Sequence, residues 1–339
     1  SDRGEPRYRA GQILDWIYRK KQRDATQFLN LPASLRTRLI EEVDWRVPEL
    51  ELEKVSRDTT RKLLLRLKDN RRIETVLIPA SRALYGEASD RRTLCVSTQV
   101  GCAYGCRFCA SGLLGFSRNL QAAEIVAQVL LAEQHTGERI DNLVFMGMGE
   151  PLANLTNLRR AIQILNAPWG VGIGARHITI STIGLAPQIH ELAKDPIQIR
   201  LAISLHGATD EVRGKIMPIN QRYNLATLME ACSAFRARHK QTLTFEFILI
   251  AGLNDSVDQA DHLATLAQRL RAKVNLIPYN KVEGLSWQRP EEAVCSRFQA
   301  RLKRRGVAAT LRTEKGHDID AACGQLRLKK ELEGLPVGS

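Results

Sequence analysis

The hydrophobic pattern of the chain changes character near residue 94, after which short apolar runs alternate with longer amphipathic stretches. The apolar runs predict strands at residues 94–98, 142–146, 177–181, 199–204, 243–250, 273–277 and 308–312. The stretches between them predict helices at residues 121–135, 155–165, 185–192, 225–238, 258–270 and 291–304. Six successive strand–helix units require a parallel sheet and are too few for a closed eight-stranded barrel. We therefore predict an α/β fold, a partial (β/α)6 barrel whose active site lies at the carboxyl ends of its strands.

Two smaller parts precede this barrel. Residues 1–50 predict a helical module with one apolar face, to which Ile13 and Ile17 belong, and with basic residues opposite. This module suits an RNA-docking accessory domain, and a plain capping subdomain fits the same periodicity. Residues 51–93 predict a short β extension and linker, with strands at 62–67 and 73–78 and a polar loop at 81–92. The predicted domains are thus residues 1–50, 51–93 and 94–330.

The composition indicates a polyanionic partner. Lysine and arginine number 50 against 37 aspartate and glutamate residues, which gives a formal net charge of +13. Basic clusters at residues 19–23, 91–92 and 303–305 make a merely solvated surface the weaker explanation, and nucleic acid is the first candidate. No apolar run approaches the ~20 residues that span a bilayer, and residues 1–10 lack the apolar stretch of a signal peptide. We therefore expect a cytoplasmic, monomeric protein that binds RNA and no membrane.

Three cysteines in the loop after the first barrel strand carry the most specific chemical signal. Cys102, Cys106 and Cys109 stand at C-x3-C-x2-C spacing. Three thiolates hold three irons of a [4Fe–4S] cluster and leave the fourth iron open, whereas ferredoxins supply four thiolates. A structural zinc site is less well supported, because zinc sites need a fourth ligand and His135 lies a helix away. Three unrelated buried cysteines are also disfavoured, because nearby glycines break the segment into a loop.

Polar and glycine-containing segments follow several of the predicted strands. Such residues are individually weak signals, because a serine or asparagine after a strand is usually a cap or turn residue. The carboxyl ends of parallel strands meet at one mouth of a barrel, so together they predict a site for a nucleoside cofactor. The residues concerned are Gly149, Glu150, Ser181, Ser204, Leu205, His206 and Asn280.

Several motifs resemble those of one family of radical S-adenosylmethionine (SAM) enzymes. The most specific are LCVSTQVGC with the following GC-x2-C, MGMGEPLAN, ISTIG, ISLHG, LIPYN and DIDAACGQL. They are similar to the adenine-carbon-2 RNA methyltransferases, the RlmN enzymes, whose sister group is the Cfr-type carbon-8 methyltransferases. The resemblance extends over nearly the whole chain. It implies that the seven strand-end residues bind SAM, that Cys323 carries a methyl group, that Cys95 is the resolving cysteine and that Glu74 is a proton acceptor.

The resemblance also implies a substrate and a mechanism. The expected substrates are adenosine 2503 of 23S rRNA and adenosine 37 of some tRNAs. One SAM methylates Cys323, and a second, cleaved by the reduced cluster, gives a 5′-deoxyadenosyl radical that removes a hydrogen from the S-methyl group. The carbon radical then adds to adenine, and Cys95 resolves the covalent adduct with a transient disulfide. A reducing electron donor is implied as a partner.

Alternatives remain open for the individual residues and for the function. Cys323 also fits a small buried residue, Cys95 a core-strand position, Glu74 an exposed strand residue, and His206 a structural histidine. The loop at 81–92 is longer than is usual in the family, which affects how Glu74 is placed. The functional alternatives are a Cfr-type carbon-8 methyltransferase, a radical-SAM enzyme acting on a small molecule, and an RNA-binding protein with a vestigial cluster.

Overall fold

The computed structural model describes residues 5–45, 48–80, 91–112, 115–280, 286–312, 319, 326–327 and 330. Cys323 and most of the predicted loop at 81–92 lie outside these residues.

One ten-stranded sheet organises the protein, in the order β1-β2-β3-β4-β7-β8-β9-β10-β11-β12. Its first four strands are joined by antiparallel pairing, and β4 and β7–β12 are parallel to one another. A separate hairpin consists of β5 and β6. The strands are β1 Glu49–Val55, β2 Arg61–Arg66, β3 Arg72–Pro79, β4 Arg92–Cys95, β5 Gln99–Gly101, β6 Phe116–Asn119, β7 Asn142–Phe145, β8 Ile178–Thr182, β9 Arg200–Ser204, β10 Leu243–Leu249, β11 Lys273–Pro278 and β12 Ala309–Leu311.

Helices connect the parallel strands and pack on the sheet, which confirms the predicted α/β fold with six strand–helix units. The helix after β6 shows why its boundaries are sharp: Gln121 and Glu124 form a capping box, and Gly137 ends the helix with φ of 70°. The helices are α1 Tyr8–Leu14, continued by a π-helical turn at Asp15–Arg19, α2 Ala33–Glu42, α3 Ala122–Thr136, α4 Leu155–Asn166, α5 Ala186–Leu192, α6 Asp210–Ile216, α7 Leu225–Arg238, α8 Val257–Leu270 and α9 Glu292–Arg304.

The N-terminal helices have a small core of their own. Phe28, Leu31 and Leu35 are buried together, and Trp16 stacks on Phe28 with ring centroids 5.2 Å apart. The module also contacts the barrel through an ion pair of 3.1 Å between Lys21 and Glu133 of α3. A self-contained core is what the amphipathic pattern of this segment predicts. Among the residues that the structure describes, no helix is long and apolar enough to cross a membrane.

Several elements differ from the sequence-based expectation, among them the β5–β6 hairpin, which was not predicted. Strand β1 was not predicted, because it lies at the edge of the sheet and alternates glutamates with only two leucines. The first barrel strand ends at Cys95 instead of residue 98, since the backbone N–H groups of Thr98 and Gln99 both turn to the carbonyl of Met148. The short helix α6, at residues 210–216, was also missed.

Candidate active site

The strand register places the predicted strand residues on one face of the sheet. Cys95 pairs with Val144, which pairs with Thr179, two residues before Ser181. Ser181 pairs in turn with Ala202 of β9, two residues before Ser204. Because directly paired residues point to the same face and side chains alternate along a strand, Cys95, Ser181 and Ser204 share a face. This is the polar inner face of the partial barrel, opposite the face covered by helices.

The loop that carries the three cysteines is closed at its base by the β5–β6 hairpin. The backbone N–H of Cys102 donates to the carbonyl of Gly115 at 3.2 Å, and that of Cys109 donates to Cys106 at 3.0 Å. Gly101 has φ of 78°, and a Cβ atom there would lie only 1.9 Å from the oxygen of Gly115. The position therefore requires glycine, since it combines a left-handed conformation with a close backbone approach.

Cys106 and Cys109 line a cavity of about 350 Å³, together with Gly105, Arg107, Gly112, Ser286 and Trp287. Burial raises the pKa of Cys102 to about 11 and that of Cys106 well above its ordinary value. The neighbouring thiols and Glu150 shift both pKa values in the same direction. The thiols of Cys102 and Cys106 are thus neutral until a metal displaces their protons.

The donor set fits an iron–sulfur cluster better than a single ion. Within the described part of the chain, no three His, Cys, Asp or Glu side chains are grouped so that they could hold one metal ion. A cubane cluster bonds each thiolate to a different iron, so its cysteines surround a shared space instead of meeting at a point. Cys106 and Cys109 line an open cavity, and Cys102 adds a third soft thiol ligand on the same glycine-containing loop, as such a cluster requires.

Glu150 lies after β7 and is only 2% exposed. Its carboxylate accepts hydrogen bonds from the backbone N–H groups of Leu152, at 3.0 Å, and Ile183, at 2.9 Å. Burial raises the pKa of Glu150 to about 7, although these hydrogen bonds oppose the shift. The carboxyl group therefore changes its charge near neutral pH, in a position where it can bind a cationic amine.

Gly149, the residue before Glu150, is held against the side chain of Gln99. It has φ of 94°, and a Cβ atom there would lie 2.4 Å from the Cβ of Gln99. The Gln99 Oε1 atom accepts the backbone N–H of Glu150 at 2.8 Å, and its Nε2 donates to Asn119 at 2.8 Å. Gln99 thus connects the loop after β7 to the hairpin under the cysteine loop, a role that the sequence alone did not indicate.

His206 lies beside the cysteine loop at the end of β9. Its ring meets that of Phe108 edge-to-face, with centroids 4.6 Å apart. Its Nδ1 accepts the backbone N–H of Ile248 at 3.1 Å, which assigns the proton of the neutral ring to Nε2. Burial, with a smaller contribution from Arg213, lowers the pKa of His206 to about 3. The imidazole is consequently neutral, its Nδ1 makes a structural hydrogen bond, and the residue lies at a strand end that was predicted to bind SAM.

Arg213 in α6 is a site residue that sequence reasoning missed. Its side chain is fully buried and donates to the carbonyls of Leu205, at 3.2 Å, and Ile183, at 2.7 Å, and to Asn220 Oδ1, at 2.8 Å. No ion pair within 4 Å involves Arg213 among the described residues. The guanidinium thus joins the segments that follow β8 and β9, and its charge lies close enough to lower the pKa of Cys106.

The remaining predicted SAM contacts lie at the same end of the sheet. Ser181 is 9% exposed in β8, and Ser204 and Leu205 end β9. Asn280 follows β11, and its Oδ1 accepts a hydrogen bond of 3.3 Å from Arg289. The structure therefore brings all the predicted strand-end residues to the carboxyl ends of the parallel strands.

Glu74 is not the exposed strand residue that its sequence context alone would suggest. It is 1% exposed, and its Oε2 lies 2.9 Å from the Nζ of Lys62, which is completely buried. Its Oε1 accepts the backbone N–H of Arg327 at 2.6 Å. Arg327 is four residues after Cys323, so the segment that carries the predicted methyl-accepting cysteine contacts the predicted proton acceptor.

Cys95 is close to this ion pair. Lys62 pairs with Val76, and Val76 pairs with Cys95, so all three occupy one row across β2, β3 and β4. Burial raises the pKa of the Cys95 thiol to about 11, while Arg312 and Lys62 lower it and Glu74 raises it. The thiol is therefore protonated in this arrangement. Cys232 and Cys295 are buried elsewhere in helices, as expected.

Comparisons with known proteins agree with this geometry. Residues 96–264 match the radical SAM superfamily, and residues 1–44 match the ribosomal RNA large subunit methyltransferase N-terminal domain. A probable dual-specificity RNA methyltransferase RlmN 3 from Opitutus terrae is 55% identical over 98% of this chain and 91% of its own length. A relative of the same description from Akkermansia muciniphila, RlmN, is 51% identical over 98% and 93%. The crystal structure of a radical SAM methyltransferase from Sphaerobacter thermophilus superposes with a TM-score of 0.88 at 42% identity, over 96% of this chain and 94% of that one.

Proposed function

Because the chain belongs to the RlmN family of radical SAM methyltransferases, we propose that it methylates carbon 2 of adenine in RNA. The proposed substrates are adenosine 2503 of 23S rRNA and adenosine 37 of some tRNAs. The observation that carries the proposal is the inner face of the barrel. It combines Cys95 and the buried Glu74 with polar strand ends and a loop of three cysteines.

Cys102, Cys106 and Cys109 would hold the [4Fe–4S] cluster, which when bound supplies the electron that cleaves SAM to a 5′-deoxyadenosyl radical. The strand-end residues would bind SAM. Glu150 has the most clearly defined role. A developing or fixed positive charge next to a buried carboxyl group favours the ionised form of that group. A SAM amine next to Glu150 would lower its pKa from about 7, so binding and ionisation support each other.

Cys323 would carry the methyl group, and Cys95 would release the product. In the release step the Cys95 thiolate would attack the Cys323 sulfur, so that an S–S bond forms and the sulfur–carbon bond breaks. The carbon would keep the electron pair of that bond and take up a proton to become the methyl group of the product. The high pKa of Cys95, about 11, means that this thiol must lose its proton during turnover. The nearby charges of Lys62 and Arg312 favour the thiolate. The resulting disulfide has to be reduced by an external donor before the next cycle.

Glu74 would accept the proton that leaves carbon 2. Its carboxylate is buried next to Cys95, so both groups that act on the adduct lie on adjacent strands. The RNA itself would be held mainly through phosphates, because the net charge is +13 and basic clusters are spread along the chain. The N-terminal module, residues 1–50, would supply part of that contact.

Mass spectrometry of RNA nucleosides tests the proposed function. A host strain that lacks its own enzyme should regain 2-methyladenosine in its RNA when it expresses this chain. It should not regain 2-methyladenosine when it expresses the Cys323→Ala variant. The Cys232→Ala variant changes a buried helix cysteine and should restore the modification like the wild type. Formation of 8-methyladenosine would instead indicate the Cfr-type activity, and unmethylated RNA with wild-type protein present would overturn the proposal.

A further inference from the structure

The structure contains a buried charge that the proposed reaction does not use. Lys62 is completely enclosed in β2, and Glu74 is 1% exposed in β3. Their side chains meet diagonally across the antiparallel pair, since Lys62 is opposite Val76 and Glu74 is opposite Leu64. The distance between Lys62 Nζ and Glu74 Oε2 is 2.9 Å.

Stability alone does not explain this pair. Two charges lose their hydration when they are buried, and an apolar pair of similar volume is often equally stable or more stable in such a place. Strand β2 shows that an apolar residue fits on this face, because Leu64, two residues from Lys62 and opposite Glu74, is completely buried. Stability therefore does not explain why a lysine occupies position 62 of β2.

We propose that Lys62 is a positioning residue for Glu74. Lys62 keeps the Glu74 carboxylate charged and directed toward the adduct that Cys95 resolves. The inference rests on the proposed function of Glu74 and Cys95. The Lys62 ammonium group lies 2.9 Å from one oxygen of Glu74, so it orients the carboxylate and places a fixed cation beside it.

The geometry supports this role for both groups that act on the adduct. Lys62 and Cys95 lie in one row on either side of Val76, and Glu74 is two residues from Val76 on the same face. Lys62 therefore also favours the thiolate form of Cys95, as does Arg312. The other carboxylate oxygen of Glu74 binds the N–H of Arg327, in the segment that follows Cys323.

The proton transfer that Lys62 would support leaves the charges balanced. The proton of carbon 2 moves to the Glu74 carboxylate, and the electron pair of the C–H bond stays with the adenine ring. The adduct formed by radical addition also has to lose its unpaired electron, which the oxidised [4Fe–4S] cluster would take up. Lys62 keeps its own proton throughout, so the ion pair becomes an ammonium group beside a neutral acid.

The test compares variants at this one position in single turnovers of the reconstituted full-length enzyme with RNA. Lys62→Gln keeps an amide donor for Glu74 and removes the charge, whereas Lys62→Arg keeps the charge. The measured quantities are 5′-deoxyadenosine, methylated RNA, and RNA covalently bound to protein on a denaturing gel. Leu63→Ala serves as the control for a destabilised β2, because Leu63 is buried on the opposite face.

Lys62→Gln should form 5′-deoxyadenosine, and its ratio of covalent adduct to methylated RNA should rise at least about tenfold, as expected on loss of a general base. Glu74→Gln should behave in the same way, and Lys62→Arg should restore the wild-type ratio. The double variant Lys62→Gln/Glu74→Gln should give the ratio of Glu74→Gln alone.

A wild-type ratio in Lys62→Gln would overturn the proposal. A parallel loss of all three products in Lys62→Gln and Leu63→Ala would also overturn it, since that pattern indicates a structural role only. A ratio in the double variant well above that of Glu74→Gln would show an independent action of Lys62. The proposed function is tested separately from the role of Lys62. It holds if the wild-type enzyme forms methylated RNA and the Cys95→Ala variant accumulates the adduct.

Discussion

The carboxylate of Glu150 accepts the backbone N–H of Ile183 at 2.9 Å, so a side chain after β7 is fixed to the segment after β8. This contact joins two neighbouring strand ends of the candidate SAM site. The enclosure that provides these N–H groups also removes water from the Glu150 carboxylate. This burial raises the pKa of Glu150 to about 7.

The raised pKa of Glu150 predicts a dependence of stability on pH. An acid whose folded pKa is above its unfolded value contributes stability below the unfolded pKa, and loses it as pH rises through the folded pKa. The ordinary pKa of a glutamate is 4.5 and the folded value is about 7, so the free energy of unfolding should fall by about 3 kcal/mol between these pH values. Urea unfolding of SAM-free protein across this range measures the effect. Glu150→Gln should lack this fall, and an equal fall in that variant would assign it to another group.

Gly149→Ala should damage the site severely. The added Cβ would lie 2.4 Å from the Cβ of Gln99, in a residue with φ of 94°. Overpacking and backbone strain together predict a loss of roughly 3 kcal/mol in unfolding free energy, with weaker SAM binding. Gly172→Ala is a matched control, because Gly172 has φ of 79° and nothing within 4 Å of the added atom. It should lose only about 1–2 kcal/mol, from strain. Equal losses in the two variants would show that contact with Gln99 is unimportant.

Arg213→Met should lower stability by about 3 kcal/mol or more, because it removes the donor to the buried carbonyl of Ile183 and to Asn220 Oδ1. Thermal unfolding measures the change. Arg301 in α9, which pairs with Asp261 at the surface, is the comparison. Arg301→Met should cost less than about 1 kcal/mol, as is typical of exposed ion pairs. A similarly small effect at Arg213 would contradict its assigned role in joining the two strand ends.

Some of the site could be predicted from local sequence because its geometry is local or follows from parallel strands. The three cysteines lie within one short loop, so their spacing alone indicated the cluster. Glu150, Ser181 and Ser204 follow parallel strands, which bring their carboxyl ends to one edge in any register. The alternation of strands and helices gave the barrel for the same reason.

The parts that could not be predicted depend on non-local packing. Lys62 follows Arg61 in a leucine-rich strand, and only the antiparallel register with β3 shows that it is buried against Glu74. Arg213 lies in a short, charged helix where a solvated arginine is the ordinary expectation, but its side chain fills the space under the strand ends. The role of Cys323 remains a prediction from the resemblance, because this residue lies outside those that the structure describes.

Analysis of the Cys95→Ala variant tests the central claim most directly, that one cysteine carries the methyl group and another releases the product. The full-length enzyme, with its cluster and SAM, is reacted with RNA, separated on a denaturing gel and digested for peptide mass spectrometry. Cys95→Ala should retain RNA bound through a methylene group to Cys323, whereas Cys323→Ala and the control Cys295→Ala should retain none. If the Cys95→Ala variant releases methylated RNA at the wild-type yield and forms no covalent adduct, the claim that Cys95 releases the product is contradicted.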